Sequence, residues 1–161
     1  MRKRWIMTIV LWGGLVAWLG VIYYLSSQNG EQTAQTSLAL THKLAAFVFE
    51  NPTDAQLADF HMILRKFAHL FLFFLLGSLT TWVSAVTFPK GKGILSGYYV
   101  LISMGMTLAA GYFDEWHKQF IAGRHFDFAE TMLNLKAGAC GVIFAMVVIL
   151  VCKGVRMCME E

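Results

Sequence analysis

The chain has 161 residues, of which 57% are hydrophobic and only 14% charged, against about 25% charged in an ordinary soluble domain. At about 20 apolar residues per bilayer crossing, four crossings consume most of this length and leave little for a separate soluble domain. The net charge of +3 sits in basic clusters flanking apolar runs rather than in a stripe with interleaved aromatics, which excludes nucleic acid as the expected partner.

In chain order, residues 5–25 form an uncharged apolar run preceded by Arg2, Lys3 and Arg4. It is longer than the roughly 7–15 apolar residues of a signal peptide and lacks a small-residue cleavage site, so it reads as a retained transmembrane helix. Basic residues resist translocation, which places the N-terminus in the cytoplasm. Residues 26–63 are mostly polar, carry Glu31, Glu50, Asp54 and Asp59, and are expected outside. Within them Leu40, Leu44, Phe47 and Val48 follow helical spacing and predict an amphipathic helix lying on the membrane. Asn51-Pro52 ends it, and Thr53-Asp54-Ala55-Gln56 has the form of a capping box that starts another helix.

The second span is predicted over residues 64–88, closed by the turn formers and charge of Pro89-Lys90-Gly91-Lys92-Gly93. The third covers 94–115. The uncharged part of the fourth, 137–152, is short, and extending it outward to 128 restores the length but brings in Glu130, Asn134 and Lys136. Lys153 and Arg156 then follow it on the cytoplasmic side. The expected fold is therefore all-α: a single domain over 1–161, a bundle of four transmembrane helices (5–25, 64–88, 94–115, 128–152) with both termini inside. Cys140, Cys152 and Cys158 have no metal-ligand spacing and read as packing or surface residues.

This topology brings four polar motifs to one depth at the outer surface: Ser26-Ser27-Gln28; Arg65, Lys66 and His69; Asp114, Glu115, His117 and Lys118; and Arg124, Asp127, Glu130 and Asn134. Ionisable groups inside a membrane are costly and face the bundle interior, paired or near water. Arg65 and His69 share a helix face at i,i+4, as do Glu130 and Asn134. Gly138 and Gly141 continue the latter face and permit close helix packing. The expectation is an outward-opening pocket in which acids from the third and fourth spans face bases from the second. Plainer readings stand beside it. Lys66 and Lys136 can snorkel to headgroups, one of Asp114 and Glu115 is expected to be solvated, His117 and His125 read as surface loop residues, and Asn134 can serve only as interhelical glue. Trp5, Tyr23, Tyr24, Tyr112 and Trp116 read as interface anchors. His69, Asp114, Glu115 and His117 are suitable metal ligands, but Arg65 and Arg124 would repel a cation, so neither metal nor cofactor is expected. Ser26 and Ser27 lack a nucleophile elbow.

At these residues the sequence resembles the VanZ-like membrane proteins. Arg65-Lys66-Phe67-Ala68-His69 is similar to that family's R-K-x-A-H segment, and Asp114-Glu115-Trp116-His117 with Phe120 and Gly123-Arg124 to its D-E-x-H-Q-x-F-x-P-G-R segment. Ser27-Gln28 and Glu130 to Asn134 resemble two further elements, in the same order. Lys118 stands where the family usually has Gln, Ala122 where it has Pro, and Leu72 and Phe73 where many members have Glu-Tyr. The resemblance implies a bacterial cytoplasmic membrane protein and a phenotype, lowered susceptibility to the lipidated glycopeptide teicoplanin.

Three functions compete at this stage. The first is binding or remodelling of an anionic lipid or lipid-linked envelope precursor, with Arg65, Lys66 and Arg124 on phosphate and Gln28, His69, Asp114, Glu115, His117, Glu130 and Asn134 completing the site. The second is an enzyme acting on an outer-leaflet headgroup, with Glu115 or Glu130 as base or nucleophile and His69 as proton carrier. The third is a structural protein whose charges hold the helices together for a partner.

Overall fold

The computed structural model describes the backbone of residues 2–28, 30–88 and 98–159, and side chains within 5–28, 38–88 and 98–152. The described residues form five helices and no strand: α1 (Arg2–Ser26), α2 (Gly30–Val48), α3 (Asp54–Thr87), α4 (Tyr98–Lys118) and α5 (Phe128–Met159). The expected turn at 89–93, the first residues of the run beginning at 94, and the side chains of Arg2, Lys3, Arg4, Glu31, Lys90, Lys92, Lys153, Arg156 and Cys158 lie outside the described residues.

Helix α3 starts where its sequence dictates. Thr53 Oγ1 accepts from the Gln56 amide at 3.3 Å while Gln56 Oε1 accepts from the Thr53 amide at 2.9 Å, a complete capping box. Its 34 residues rise about 51 Å at about 1.5 Å per residue, more than the roughly 30 Å of a hydrocarbon core. The surplus is the polar first turns, and α2 packs there. Thr41 Oγ1 lies 3.1 Å from His61 Nδ1, and the Phe49 ring meets Phe60 edge-on at 5.9 Å. The buried line of α2 is Thr41 and Ala45. Small residues at i,i+4 let α2 approach α3, while Leu40, Phe47 and Val48 of its apolar set remain exposed.

Helix directions follow from side-chain pairs. Trp12 Nε1 donates to Thr87 Oγ1 and Trp18 Nε1 to the Leu72 carbonyl, both at 3.0 Å, so α1 runs antiparallel to α3. Arg65 faces Glu130 and Ser78 Oγ donates to the Gly141 carbonyl, so α3 and α5 run parallel. Thr80 and Thr107 meet at 3.1 Å as α4 crosses in the opposite direction. The α3–α5 contact depends on the absence of side chains. A Cβ on Gly77 would overlap the Gly138 carbonyl, and one on Gly141 would overlap the Phe74 carbonyl. Such close backbone approach is how helices associate in lipid, where tails offer no hydrophobic drive between helices.

The interior is accordingly small and polar. Ser78, Thr80, Thr81, Ser84, Ser103 and Thr107 are buried beside Phe73, Leu76 and Val83. Most of the hydroxyls are satisfied within their own helix, as in Thr81 to the Gly77 carbonyl and Thr107 to the Ser103 carbonyl, each at 2.8 Å. The exterior carries exposed Ile9, Val10, Phe67, Leu101, Phe144 and Leu150. This inside-out distribution is that of a chain solvated by lipid.

Three helical stretches, Trp5–Ser26, Asp54–Thr87 and Phe128–Cys152, are long and apolar enough to cross a membrane. The third expected crossing is less apolar. Within the described residues α4 is diluted by Ser103, Thr107 and two glycines, and it continues past 115 to Lys118 because Asp114, Glu115 and Lys118 form its last turn.

Candidate functional site

The C-terminal ends of α1 and α4 meet the N-terminal half of α3 and the start of α5 at one end of the bundle. Asp114 and Glu115 are both buried there, Glu115 completely. The expectation that one of the pair is solvated is thus corrected. The physical reason is Lys118, one turn on, whose ammonium is itself buried. It hydrogen-bonds to Glu115, lies 3.3 Å from Asp114 Oδ2 without hydrogen-bond alignment, and donates to Glu130 Oε2 at 3.2 Å. The i,i+3 and i,i+4 spacing from the two acids was the available signal for Lys118. The sequence reading counts Lys118 in the polar cluster that closes the third span but gives it no partner there. The acids therefore face a base on their own helix first, and the arginine of α3 second. Arg65 lies 3.9 Å from Glu130 and is roughly half exposed. Among the described residues, no three histidines, cysteines or carboxylates are grouped as a metal ion requires.

Arg124 comes from the α4–α5 connection. Gly123 adopts φ 76°, the left-handed region that a side chain disfavours, and the Arg124 amide closes a turn on the Ile121 carbonyl at 3.1 Å. This reversal sends the guanidinium back to the end of α1, where Nη1 donates to the buried Ser26 carbonyl at 3.4 Å. Partial burial, and secondly the like charge of Arg65, lower the Arg124 pKa from its ordinary value against the opposing pull of Glu130, Asp114 and Glu115. It remains a cation at neutral pH, since a guanidinium ordinarily titrates far above neutrality.

Three cavities surround this cluster. The first, about 220 Å³, is lined by Gln28, Arg65, His69, Asp114 and Arg124 on its polar side and by Ile22, Leu25, Leu40, Leu72 and Phe73 among its apolar walls. The second, about 250 Å³, lies between α3 and α5 and is lined by Met62, Arg65, Lys66, His69, Glu130, Leu133 and Asn134. Arg65 and His69 belong to both. The third, about 310 Å³, is mostly apolar and runs between α1 and α4 along Leu19, Ile22, Tyr23, Phe113, Asp114 and His117. His117 is half-buried rather than on the surface, because its ring packs against Tyr23 at a centroid distance of 4.8 Å. Glu115 lines none of the three. Lys66 and Lys136 are exposed, as are Cys140 and Cys152.

The ordered motifs that line these cavities belong to one family pattern, and a profile for VanZ/LLP1 matches residues 11–150. The chain belongs to the VanZ/LLP1 family. The match runs from within α1 to within α5 and so includes every element that contributes to the cluster. Comparison with curated proteins and with solved structures returned no match in either case. Against the VanZ-like pattern, Lys118 is the departure with a structural consequence, since it brings a charge into the middle of three carboxylates. Leu72 and Phe73, two further departures, supply apolar wall to the first cavity.

Proposed function

We propose that this protein crosses the bacterial cytoplasmic membrane four times with both termini inside. Its outward-facing pocket binds an anionic amphiphile, a phosphate-bearing lipid or lipid-linked envelope precursor. In this reading α4 is the third crossing. Its support is the alternation of helix directions, which brings the polar ends of α1, α3, α4 and α5 together. Occupancy at the outer leaflet would lower the access of a lipidated glycopeptide to its target, which is the phenotype the family resemblance implies.

One observation carries the ligand class. The first cavity sets two guanidinium groups, Arg65 and Arg124, against walls of leucine and isoleucine. A headgroup phosphate would relieve the mutual repulsion that these cations impose, and Arg offers it bidentate hydrogen bonds. Acyl chains would lie on the apolar side. Mass spectrometry of lipids co-purifying with wild type and with Arg124→Ala tests this. An anionic amphiphile enriched with wild type and lost from a stably folded Arg124→Ala is the expected result. Identical lipid profiles would refute the assignment.

An enzyme acting on the headgroup is the second reading, and one observation favours it: Glu130 and His69 wall the second cavity together. Glu115 is the weaker candidate base, being enclosed against Lys118 away from each cavity. Conversion of the co-purifying lipid by wild type but not by Glu130→Gln would select this reading.

A further inference from the structure

The second cavity differs in chemistry from the first. Its cations are Arg65 and Lys66, but it also holds the Glu130 carboxylate and the Asn134 amide. Asn134 is only 2% exposed, and its Nδ2 is buried with no hydrogen-bond partner. The Nδ1 atom of His69 is likewise buried and unpartnered. Leaving such groups unmatched in a buried site is costly, so a ligand that satisfies them gains affinity.

The donor and acceptor set restricts that ligand. A bare phosphate would suit Arg65 and Lys66 but would be repelled by Glu130. An amine would suit Glu130 but would meet Arg65 and Lys66. A hydroxyl does what neither can: it donates to a Glu130 oxygen and accepts from Asn134 Nδ2. Arg65 is shared by both cavities. A phosphodiester held at Arg65 therefore places its acyl side along the first cavity and its esterified alcohol in the second. The volume of about 250 Å³ is several times the roughly 30 Å³ that one water occupies in the liquid, enough for a small polyol.

We infer that the second cavity is a headgroup subsite for a polyol, so that the ligand is a lipid phosphodiester of glycerol or of a sugar rather than of an amino alcohol. This rests on the anionic-amphiphile reading above and deepens it.

The test uses the full chain in phosphatidylcholine nanodiscs doped with one probe lipid at a time, read by native mass spectrometry. The probes are phosphatidylglycerol, phosphatidylmethanol, phosphatidylethanolamine and a glucosyl polyprenyl phosphate. Phosphatidylmethanol has the diester charge of phosphatidylglycerol without its hydroxyls. The expected result is binding of phosphatidylglycerol or the glucosyl lipid at least about fivefold tighter than phosphatidylmethanol, with phosphatidylethanolamine weakest. Whichever of the two polyol lipids binds tighter identifies the source. Asn134→Leu should erase the margin over phosphatidylmethanol while leaving phosphatidylmethanol binding in place. Equal binding of phosphatidylglycerol, the glucosyl lipid and phosphatidylmethanol, with phosphatidylethanolamine weaker, overturns the polyol subsite and leaves the anionic reading standing. Failure to prefer any anionic probe over phosphatidylethanolamine overturns both. A preference for polyol that survives in Asn134→Leu overturns the role given to Asn134. The wild-type comparison needs no variant to fold.

Discussion

Lys118→Met is the most direct test of the buried charge cluster. The substitution keeps an unbranched side chain of similar reach and removes the ammonium that Asp114, Glu115 and Glu130 share. Glu130 is 36% exposed and can turn to solvent, so the penalty falls on Asp114 and Glu115. Breaking a buried ion pair from one side costs about 3–5 kcal/mol. A carboxylate can escape by taking up a proton, and for an ordinary glutamate that costs about 3.7 kcal/mol at pH 7, falling to about 1 kcal/mol at pH 5. The escape becomes cheaper as the pH falls, so the mutant's deficit should shrink in that direction. Unfolding of both proteins in one detergent, at each pH, measures it. A deficit of about 3–5 kcal/mol at neutral pH, smaller in acid and partly recovered by adding Glu115→Gln, is expected. Equal stability of mutant and wild type at neutral pH, or a deficit indifferent to pH, would refute the idea that Lys118 neutralises buried carboxylates.

Two further outcomes are expected. Gly141→Leu drives a side chain into the Phe74 backbone and should destabilise the α3–α5 contact by about 1–3 kcal/mol, whereas Gly105→Ala, in the interior of α4 with open space around it, should leave stability unchanged or raise it by up to about 1 kcal/mol; thermal unfolding of the pair in detergent separates them. With Cys140, Cys152 and Cys158 replaced by serine, a cysteine at exposed Glu50 should react with a membrane-impermeant maleimide on intact cells while one at Lys90 should not, and the reverse pattern would overturn the proposed orientation.

The fold is built like a soluble domain turned outward. Its large side chains are on the surface and its centre is hydroxyls, glycines and a few apolar residues. Specificity in the bundle then comes from close backbone contact and from polar groups at one end. A net interhelical hydrogen bond in a membrane averages only about 0.6 kcal/mol. The Thr80–Thr107 and Ser78–Gly141 bonds therefore orient the helices more than they hold them together.

Much of this was legible residue by residue. Apolar run length marks α1, most of α3 and α5. Thr53 to Gln56 marks the start of α3, and Gly138 with Gly141 marks the face of α5 that packs closely. The i,i+4 pairs Arg65–His69 and Glu130–Asn134 place the faces that line the second cavity. The site was less legible where the partner lies on the same helix or where a side chain must turn back. Lys118 looks like a terminal lysine in the sequence, and Arg124 like a loop residue.

Period and composition determined that the chain is helical and solvated by lipid, because each span must satisfy its own backbone and present apolar atoms outward. They also determined which faces carry polar groups. Only the tertiary structure decided which charge meets which. Three acids and Lys118 converge, and Arg65 stands between two cavities, because α4 runs opposite to α3 and α5. Helix spacing along the chain carries no information about that direction once two helices are separated by a turn.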